Sequence, residues 1–519
     1  MEKQDSTPRL ALLLAAAMFV FVIDTSLMNV SISAVVHDLD TTVSGVQSAV
    51  AIEALVSAAF ILIGSKVGDL FGRKRAYTVG LLLYVSGALA MVVAQSLTPI
   101  IVFWAIIGGL GASLYMPAMQ SLIHGNFEGT AQAKAYALVG ASAAIAAAIG
   151  PLLGGFLTTY LSWRVGFALE AVVIAIVLLG SRRYLRDVPY TGDRAVDVVG
   201  SALSVIGMGG LVLGVLAWQE GGESVGALLA LGLAAMALLV CWLLRRVRAG
   251  KPVLLDPHLF ESDLFSFGIS QGVLQQVALG GMLIALPIYL QMVLGYNAME
   301  AGLSLAPLSL TMFAIALIAG KRAGRRRPAG IVRVGFALLT LALVVLIPLV
   351  PRVDTGWYLV VPLVLAGAGL GLLVSQLNNY TLAPISEDRI GEAAGINSAT
   401  GSFGLSLGLA FAGAVMLATL SIAFSDRAES SKVLAPAEQQ RVADTLEDDA
   451  QVMSDAQLNQ LLADQPADVS QEIVQINEDS RSLALQIALA VPLLAALIGL
   501  LSSFRMMRLP DPAPLAAGR

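Results

Sequence analysis

Apolar residues follow one another in runs of about 20 along the whole chain, separated by short polar segments. A helix of that length crosses a hydrocarbon layer about 30 Å thick. Because lipid offers the backbone no hydrogen-bond partners, each run must satisfy its own N–H and C=O groups, and a helix does so. The runs are too long, and alternate too weakly, for the strands of a membrane barrel. The pattern therefore predicts an all-α membrane protein.

Fourteen such runs define the predicted membrane spans. Their approximate limits are 10–36, 43–65, 76–96, 98–123, 132–160, 163–181, 196–218, 224–245, 264–292, 299–319, 329–350, 356–383, 391–424 and 482–504. The first run is too long for a cleavable signal sequence and lacks a small-residue cleavage site. We therefore predict that it is the first span.

Composition supports this fold class and narrows the function. Apolar residues make up 57% of the chain and charged residues 13%, whereas soluble domains carry about 25% charged residues. The single cysteine, Cys241, excludes a disulfide framework. The three histidines lack metal-ligand spacing, and no phosphate-binding loop follows a strand. We expect no metal, no cofactor, no nucleic-acid partner and no enzymatic activity.

Basic residues lie on alternate connections between the spans. If the N-terminus is cytoplasmic, the cytoplasmic connections carry clusters such as Lys74 and Arg75, and the short opposite loops carry little more than Arg164 and Arg352. This asymmetry follows the positive-inside rule. It predicts a multi-pass protein of the plasma (inner) membrane with both termini in the cytoplasm.

The polar segment 425–481 concentrates the acidic residues of the chain. It contains 13 Asp and Glu against 4 Lys and Arg, and the predicted topology places it outside the cell. Val469, Ile473 and Ile476 share a helical face, and so do Val442 and Leu446. We predict an extracytoplasmic helical insertion. Both a solvated cap and a gating or partner-docking role remain open for it.

A weak internal repeat suggests the domain organisation. The basic loop at 64–75 has a degenerate counterpart at 320–327, and each follows the second span of a six-span unit if spans seven and eight are set aside. This arrangement predicts two six-helix bundles, 1–187 and 251–519, with two inserted transmembrane helices in 188–250. Such parallel halves are associated with transporters.

The loop at 65–75 contains the most specific motif. Its key residues are Asp69, Gly72, Arg73, Lys74 and Arg75. An Asp at the end of one span suits the N-terminus of a neighbouring helix, and glycine permits a tight reversal. We interpret the loop as a conformational latch. The alternative is a basic loop that merely obeys topology.

Three acids fall inside predicted spans, where an ionisable side chain costs several kcal/mol and is by default a functional hypothesis. Asp24 and Glu53 lie near the middle of spans one and two, and Glu170 lies in span six. Burial and mutual repulsion would keep a proton on at least one carboxyl, and a cationic substrate could displace that proton. The alternatives are structural, hydrogen-bonded acids, with Glu170 paired to Arg164.

Small residues and amides complete the candidate sites. Gly150, Pro151, Gly154 and Gly155 would kink the fifth span and bring helices close together, either to seal the pore on one side or only to pack. Amides inside the spans are either links between helices or substrate contacts. The amides that we place in a candidate substrate cavity are Asn29, Gln271, Gln275, Asn378 and Asn379.

Several segments together resemble the major facilitator superfamily, in particular its fourteen-span branch of drug:proton antiporters. The similar segments are 24–30, 65–75, 150–155 and 391–408. Ser33 and Ser65 depart from the family pattern. So do Ala105 and Gly108, which replace an Arg, linked in the family to proton handling, and a Gln.

The resemblance implies a secondary transporter, a proton-coupled antiporter that exports lipophilic or cationic compounds. The sequence leaves the oligomeric state open, and we favour a monomer. Its partners would be a small-molecule substrate, protons and the lipid bilayer. Export of one specific metabolite or lipid-like molecule by the same fold remains an alternative. An uncoupled facilitator, which Ala105 favours, and a membrane receptor or scaffold are further alternatives.

Overall fold

The computed structural model describes residues 6–127, 129–187, 197–219, 224–321, 327–353, 355–385, 389–431, 433 and 466–509. Within these ranges the secondary structure is helical, and 14 helices are long and apolar enough to cross a membrane. The predicted fold class and number of spans are therefore confirmed. The described ends of the spans differ from the predicted limits mainly around the acidic segment.

Six helices form the N-terminal bundle. They are α1 (Ser6–Leu39), α2 (Val43–Phe71), α3 (Arg73–Val93), α4 (Leu97–Pro99, then a π-helical stretch Ile100–Gly108, then Gly109–Asn126), α5 (Gly129–Tyr160) and α6 (Trp163–Tyr184). The helix α1 packs against α5 and α6, and α4 packs against α2 and α3.

The remaining helices follow in chain order. They are α7 (Val198–Gln219), α8 (Val225–Arg248), α9 (Asp263–Ile288, continued by π-helical Tyr289–Val293), α10 (Ala298–Lys321), α11 (Pro328–Leu349), α12 (Val360–Leu382), α13 (Ile390–Ser430) and α14 (Ala467–Ala488, then Ala490–Met506). Short 3₁₀ turns precede α9 and α12 and follow α11.

Two pairs of helices join the N-terminal bundle to the bundle formed by α9–α14. One pair is α5 with α10 and the other is α2 with α13. Glycines allow the first pair to approach closely: a Cβ added at Gly302 would overlap the carbonyl oxygen of Pro151, and one at Gly155 would overlap that of Ala298. The bundles therefore meet along two seams.

The helices α7 and α8 form a hairpin outside both bundles. The helix α7 packs on α8, on α2 and on α13. Asp197 fixes its start by accepting hydrogen bonds from Gly200 N (3.0 Å) and from Trp242 Nε1 of α8 (2.9 Å). The Nε atom of Arg246 lies 3.8 Å from the same carboxyl, so the charge of this buried acid is compensated.

The membrane helices that flank the acidic segment are longer than the sequence predicts. The helix α13 extends to Ser430 and α14 begins at Ala467, whereas the predicted spans end at 424 and begin at 482. Ile473 and Ile476 are buried, in agreement with their predicted common face. The predicted pair Val442 and Leu446 lies outside the described residues.

We call the end of the molecule where α1 begins and α14 ends the basic side, because the clustered arginines and lysines lie there. The other end is the opposite side. On the opposite side, Thr159 Oγ1 of α5 accepts a hydrogen bond from Met299 N of α10 at 2.9 Å. Nearer the basic side, a Cβ at Gly140 of α5 or Gly320 of α10 would meet no atom of the described residues within 4 Å. The α5–α10 seam is therefore tightest on the opposite side.

Candidate functional site

The three acids predicted within the spans come together inside the N-terminal bundle. Asp24 of α1, Glu53 of α2 and Glu170 of α6 are 2%, 7% and 4% exposed. Glu53 and Glu170 each lie close enough to interact electrostatically with Asp24, and neither carboxyl oxygen of Glu170 has a hydrogen-bond partner among the described residues. Sequence reasoning does not predict the packing of α6 on α1, which brings the third candidate acid, Glu170, to the other two. We call these three residues the acid cluster.

Asp24 is held by two uncharged donors. The hydroxyl of Tyr84 donates to Oδ2 at 2.7 Å, and Nε1 of Trp104 lies 3.1 Å from Oδ1 and 3.2 Å from Oδ2. The ring of Tyr115 meets that of Tyr84 edge to face, with centroids 5.6 Å apart. In the described part of the chain no Lys or Arg forms an ion pair with the acid cluster. The donors orient Asp24 without neutralising it.

Local features of α3 and α4 place these donors. A Cβ at Gly111 of α4 would overlap Gly80 O and Tyr84 N of α3, so the two helices pack backbone to backbone. Trp104 lies in the π-helical stretch, a geometry that often marks functional sites. Both aromatic residues thereby reach α1.

Sequence reasoning did not identify Tyr84 and Trp104 as site residues. Each is a single aromatic residue in an apolar span, and such residues mostly serve packing. The only available signal was that Trp104 directly precedes Ala105, where the family pattern normally has Arg.

The alternative pairing of Glu170 with Arg164 is wrong. Arg164 instead forms an ion pair with Asp38 at the end of α1, and Nε1 of Trp163 donates to the same carboxyl at 3.1 Å. Arg164 lies near the start of α6, about two helical turns before Glu170. Its ion pair therefore links α6 to the end of α1 on the opposite side. Glu170 is left with the buried acids.

The basic loop forms an ordered arrangement on the basic side. Arg73 pairs with Asp69 at 2.8 Å, and Gly72 between them has a φ of 100°, which disfavours other residues. Asp187, after α6, accepts from Lys74 N at 3.2 Å and thus takes the helix N-terminus of α3. The latch role of Asp69, Gly72, Arg73, Lys74 and Arg75 stays a prediction, and sequence reasoning missed Asp187.

The glycines around Pro151 contact two different helices, α1 and α10. A Cβ at Gly150 would overlap Ser26 of α1, and one at Gly154 would press on Val30 of α1. Pro151 and Gly155 instead face Gly302 and Ala298 of α10. The motif therefore lies where α5 contacts both its own bundle and the other one. Its sealing role remains a prediction.

The candidate amides divide into different environments. Gln271 donates to Gly499 O at 3.3 Å and to Ser502 of α14, so it links two helices of one bundle. Gln275 donates to Gln276 at 3.4 Å. Asn397 of α13 donates to Asn378 of α12 at 3.1 Å.

Asn379 and Asn378 are exposed, whereas Asn29 is buried. Exposed amides within a spanning helix are better accommodated in a polar cavity than in lipid. Asn378 and Asn379 therefore stay candidate cavity residues, Gln271 packs between two helices, and Gln275 is buried at 6% exposed, so that its cavity role stays a prediction.

Several known transporters and drug-resistance proteins are similar to this chain in sequence. The puromycin resistance protein Pur8 of Streptomyces alboniger is 29% identical over 436 residues, which cover 81% of this chain and 84% of that protein. The probable actinorhodin transporter of Streptomyces coelicolor is 27% identical, covering 77% and 70%. The multidrug resistance protein Stp of Mycobacterium tuberculosis is 28% identical, covering 78% and 75%.

A solved structure shows the same fold. The bacterial homologue of the lysosomal transporter Spinster superposes with a TM-score of 0.65 at 12% identity, over 98% of this chain and 100% of that one. The family model described as Major Facilitator Superfamily matches residues 14–409, more than half of the chain. The protein is therefore a multi-pass membrane transporter that belongs to the Major Facilitator Superfamily.

Proposed function

We propose that the protein is a proton-coupled antiporter that exports lipophilic or cationic small molecules. The observation that carries this proposal is the acid cluster: three buried carboxyls in one bundle, with uncharged donors and no ion pair in the described residues. Three neighbouring carboxyls in a low-dielectric interior cannot all be ionised, so the cluster retains at least one proton unless a cation replaces it.

Competition for the acid cluster would couple the two fluxes. A cationic substrate that reaches the cluster lowers the cost of ionising Asp24 or Glu53, and a proton leaves. Reprotonation expels the substrate once the cluster faces the other side. Burying an ionised cluster costs free energy, so the bundles rock only when a proton or a cation neutralises the carboxyls. A cluster that is ionised and holds no cation therefore does not pass from one conformation to the other.

Names of the relatives support the substrate class. Two are named for resistance to puromycin or to multiple drugs, and one for transport of actinorhodin. In this chain Gln275, Asn378 and Asn379 would supply uncharged donors and acceptors from the other bundle, as suits compounds of varied structure. Asn29 is hidden on the opposite side in this conformation.

The charge asymmetry supports the orientation. Arginines and lysines at the ends of α2, α6 and α8 lie on the basic side, which we propose is cytoplasmic. Both termini then lie in the cytoplasm and the protein resides in the plasma membrane. The tight opposite-side packing of α5 and α10 makes this a conformation closed to the outside. We expect a monomer to suffice, since the acid cluster lies within one bundle.

A second candidate function follows from Ala105. No Arg stands in α4 beside Asp24, and Arg at the neighbouring position is the usual family feature linked to proton handling. A facilitator without proton coupling is therefore the competing proposal. In that case the acid cluster would bind cations only.

Proteoliposomes distinguish the two functions. The protein is reconstituted, and uptake of tetraphenylphosphonium and of puromycin is measured with and without a pH gradient. We expect the gradient to accelerate uptake, and we expect substrate added to detergent-purified protein to release protons. Equal rates with and without the gradient, together with no proton release, would establish the uncoupled facilitator.

A further inference from the structure

Two buried amides on the opposite side take no part in the acid cluster. Gln47 of α2 is 2% exposed and Asn29 of α1 is 1% exposed. In the described part of the chain, neither the oxygen nor the nitrogen of either amide has a hydrogen-bond partner. Leaving both ends of a buried amide unpaired is unfavourable, and native structures contain few such groups.

Gln47 lies on the side of α2 that faces the other bundle. One helical turn away on the same face, Ala51 O accepts a hydrogen bond from Ser406 Oγ of α13 at 2.7 Å. Val43, one turn in the other direction, lines a small cavity together with Met416 and Leu420 of α13. Gln47 is thus enclosed in the α2–α13 seam.

Asn29 lies beside a second contact between the bundles. The carbonyl of the next residue, Val30, accepts a hydrogen bond from Gln291 Nε2 of α9 at 3.2 Å. Gln291 is itself buried at the opposite-side end of α9. At this level α1 and α9 touch directly, and their separation would expose Asn29.

We propose that Gln47 and Asn29 are two polar positions of the transport path, at different depths, that are shut in this conformation and open to the opposite side when the bundles part. The inference rests on the bundle movement in the proposed function but not on proton coupling. Each amide offers two N–H donors and a carbonyl acceptor. Both positions therefore suit hydrogen-bonding groups of an uncharged or cationic compound, and their lack of charge permits release.

The same amides set the balance between the two conformations. They are unpaired while the opposite side is closed and become hydrated when it opens, so they favour opening. Replacing Gln47 with Leu removes this contribution. We expect the opposite-side-open population to fall about tenfold.

Thiol accessibility tests the proposal. Cys241 is the single cysteine, so Cys241→Ser gives a cysteine-free background. Gln47→Cys and Asn29→Cys report on the two amide positions, and Ala298→Cys, at the α5–α10 seam, reports on parting of the bundles. Thr340→Cys is the matched control, because Thr340 is a buried, unpartnered hydroxyl of α11, which packs within its own bundle on α12 and α14.

An impermeant maleimide is added from the opposite side during turnover of tetraphenylphosphonium. We expect the cysteines at 47, 29 and 298 to react and the one at 340 to stay protected. Reaction at 298 without reaction at 47 and 29 would overturn the inference and leave alternating access standing. Protection of the cysteines at 47, 29 and 298 would overturn both the inference and alternating access. Reaction of all four cysteines would show general opening of the protein and would also overturn the inference.

A rate measurement completes the test. In the Ala298→Cys background, Gln47→Leu should slow labelling about tenfold, whereas Thr340→Val should leave the rate unchanged. An unchanged rate with Gln47→Leu would overturn the role of the amide in opening. Circular dichroism and size-exclusion profiles establish that each variant is folded.

Discussion

Nε1 of Trp104 lies between the two carboxylate oxygens of Asp24, 3.1 Å from Oδ1 and 3.2 Å from Oδ2. The next residue, Ala105, stands where the family pattern normally has Arg. An arginine there would place a positive charge beside Asp24, whereas the indole is an uncharged donor. The indole therefore orients the acid without neutralising it.

Replacing Trp104 with Phe should therefore impair transport without unfolding the protein. The variant loses one hydrogen bond to Asp24, and we expect substrate uptake to fall about tenfold. Trp163→Phe is the matched control, since it removes an indole donor from Asp38 at the end of the bundle. Equal losses in both variants would indicate general destabilisation.

Asp24 and Glu170 should act as a unit. Asp24→Asn should abolish substrate-driven proton release, whereas Asp38→Asn should retain it because Asp38 belongs to a peripheral ion pair. Because the two carboxyls interact, a double-mutant cycle of Asp24→Asn and Glu170→Gln should show a coupling of about 0.5–3 kcal/mol in substrate binding. Additive effects would separate Glu170 from the site.

Gly302 should be indispensable for closure of the opposite side. An alanine there would overlap Pro151 O, whereas a Cβ at Gly320 on the same helix would meet no atom of the described residues within 4 Å. We expect Gly302→Ala to lower transport by about tenfold or more because backbone at the seam must move apart, and Gly320→Ala to behave like the wild type. Wild-type transport by Gly302→Ala would contradict the seam described here.

Gly72 should contribute to the stability of the basic side. Its φ of 100° lies where non-glycine residues are strained, so Gly72→Ala should cost about 1–3 kcal/mol in unfolding free energy. At Gly226, near the start of α8, a Cβ would meet no atom of the described part of the chain within 4 Å. Gly226→Ala should therefore leave the melting temperature unchanged or slightly raised, and thermal unfolding in detergent measures both.

Asp256, in the connection between α8 and α9, should make stability depend on pH. Burial alone would raise the pKa of its carboxyl, but hydrogen bonds from His258 and the Arg389 guanidinium at 2.6 Å hold that pKa below its usual value. An acid with a lowered pKa in the folded state stabilises the fold above its unfolded pKa, about 3.9, and this contribution disappears as the pH falls through the folded pKa.

Asp256→Asn should accordingly lower the melting temperature at pH 7, and the difference from the wild type should shrink as the pH approaches about 3. Asp263→Asn, at an exposed position in the first turn of α9, is the control. A difference that stays constant with pH would show that the charge of Asp256 contributes nothing to stability.

The chain itself reveals the spans and the acids for energetic reasons. Runs of about 20 apolar residues can only be membrane helices, and an acid such as Asp24 within one is too costly to be incidental. Tyr84 and Trp104 could not be predicted as its partners, since an aromatic residue in an apolar span usually packs against lipid or protein. Asp187 caps α3 from more than 100 residues away, and no local signal shows such a contact. The start of α14 was missed because its first turns are polar.

The two seams between the bundles are not equivalent, because α7 rests on both helices of the α2–α13 seam. When one bundle rocks against the other, α2 and α13 must move relative to α7. In the described chain, neither helix of the inserted pair packs on α5 or α10. A molecule dissolved in the bilayer thus meets a shielded flank on one side of the transporter. The unshielded flank is where sideways access from lipid is sterically simplest.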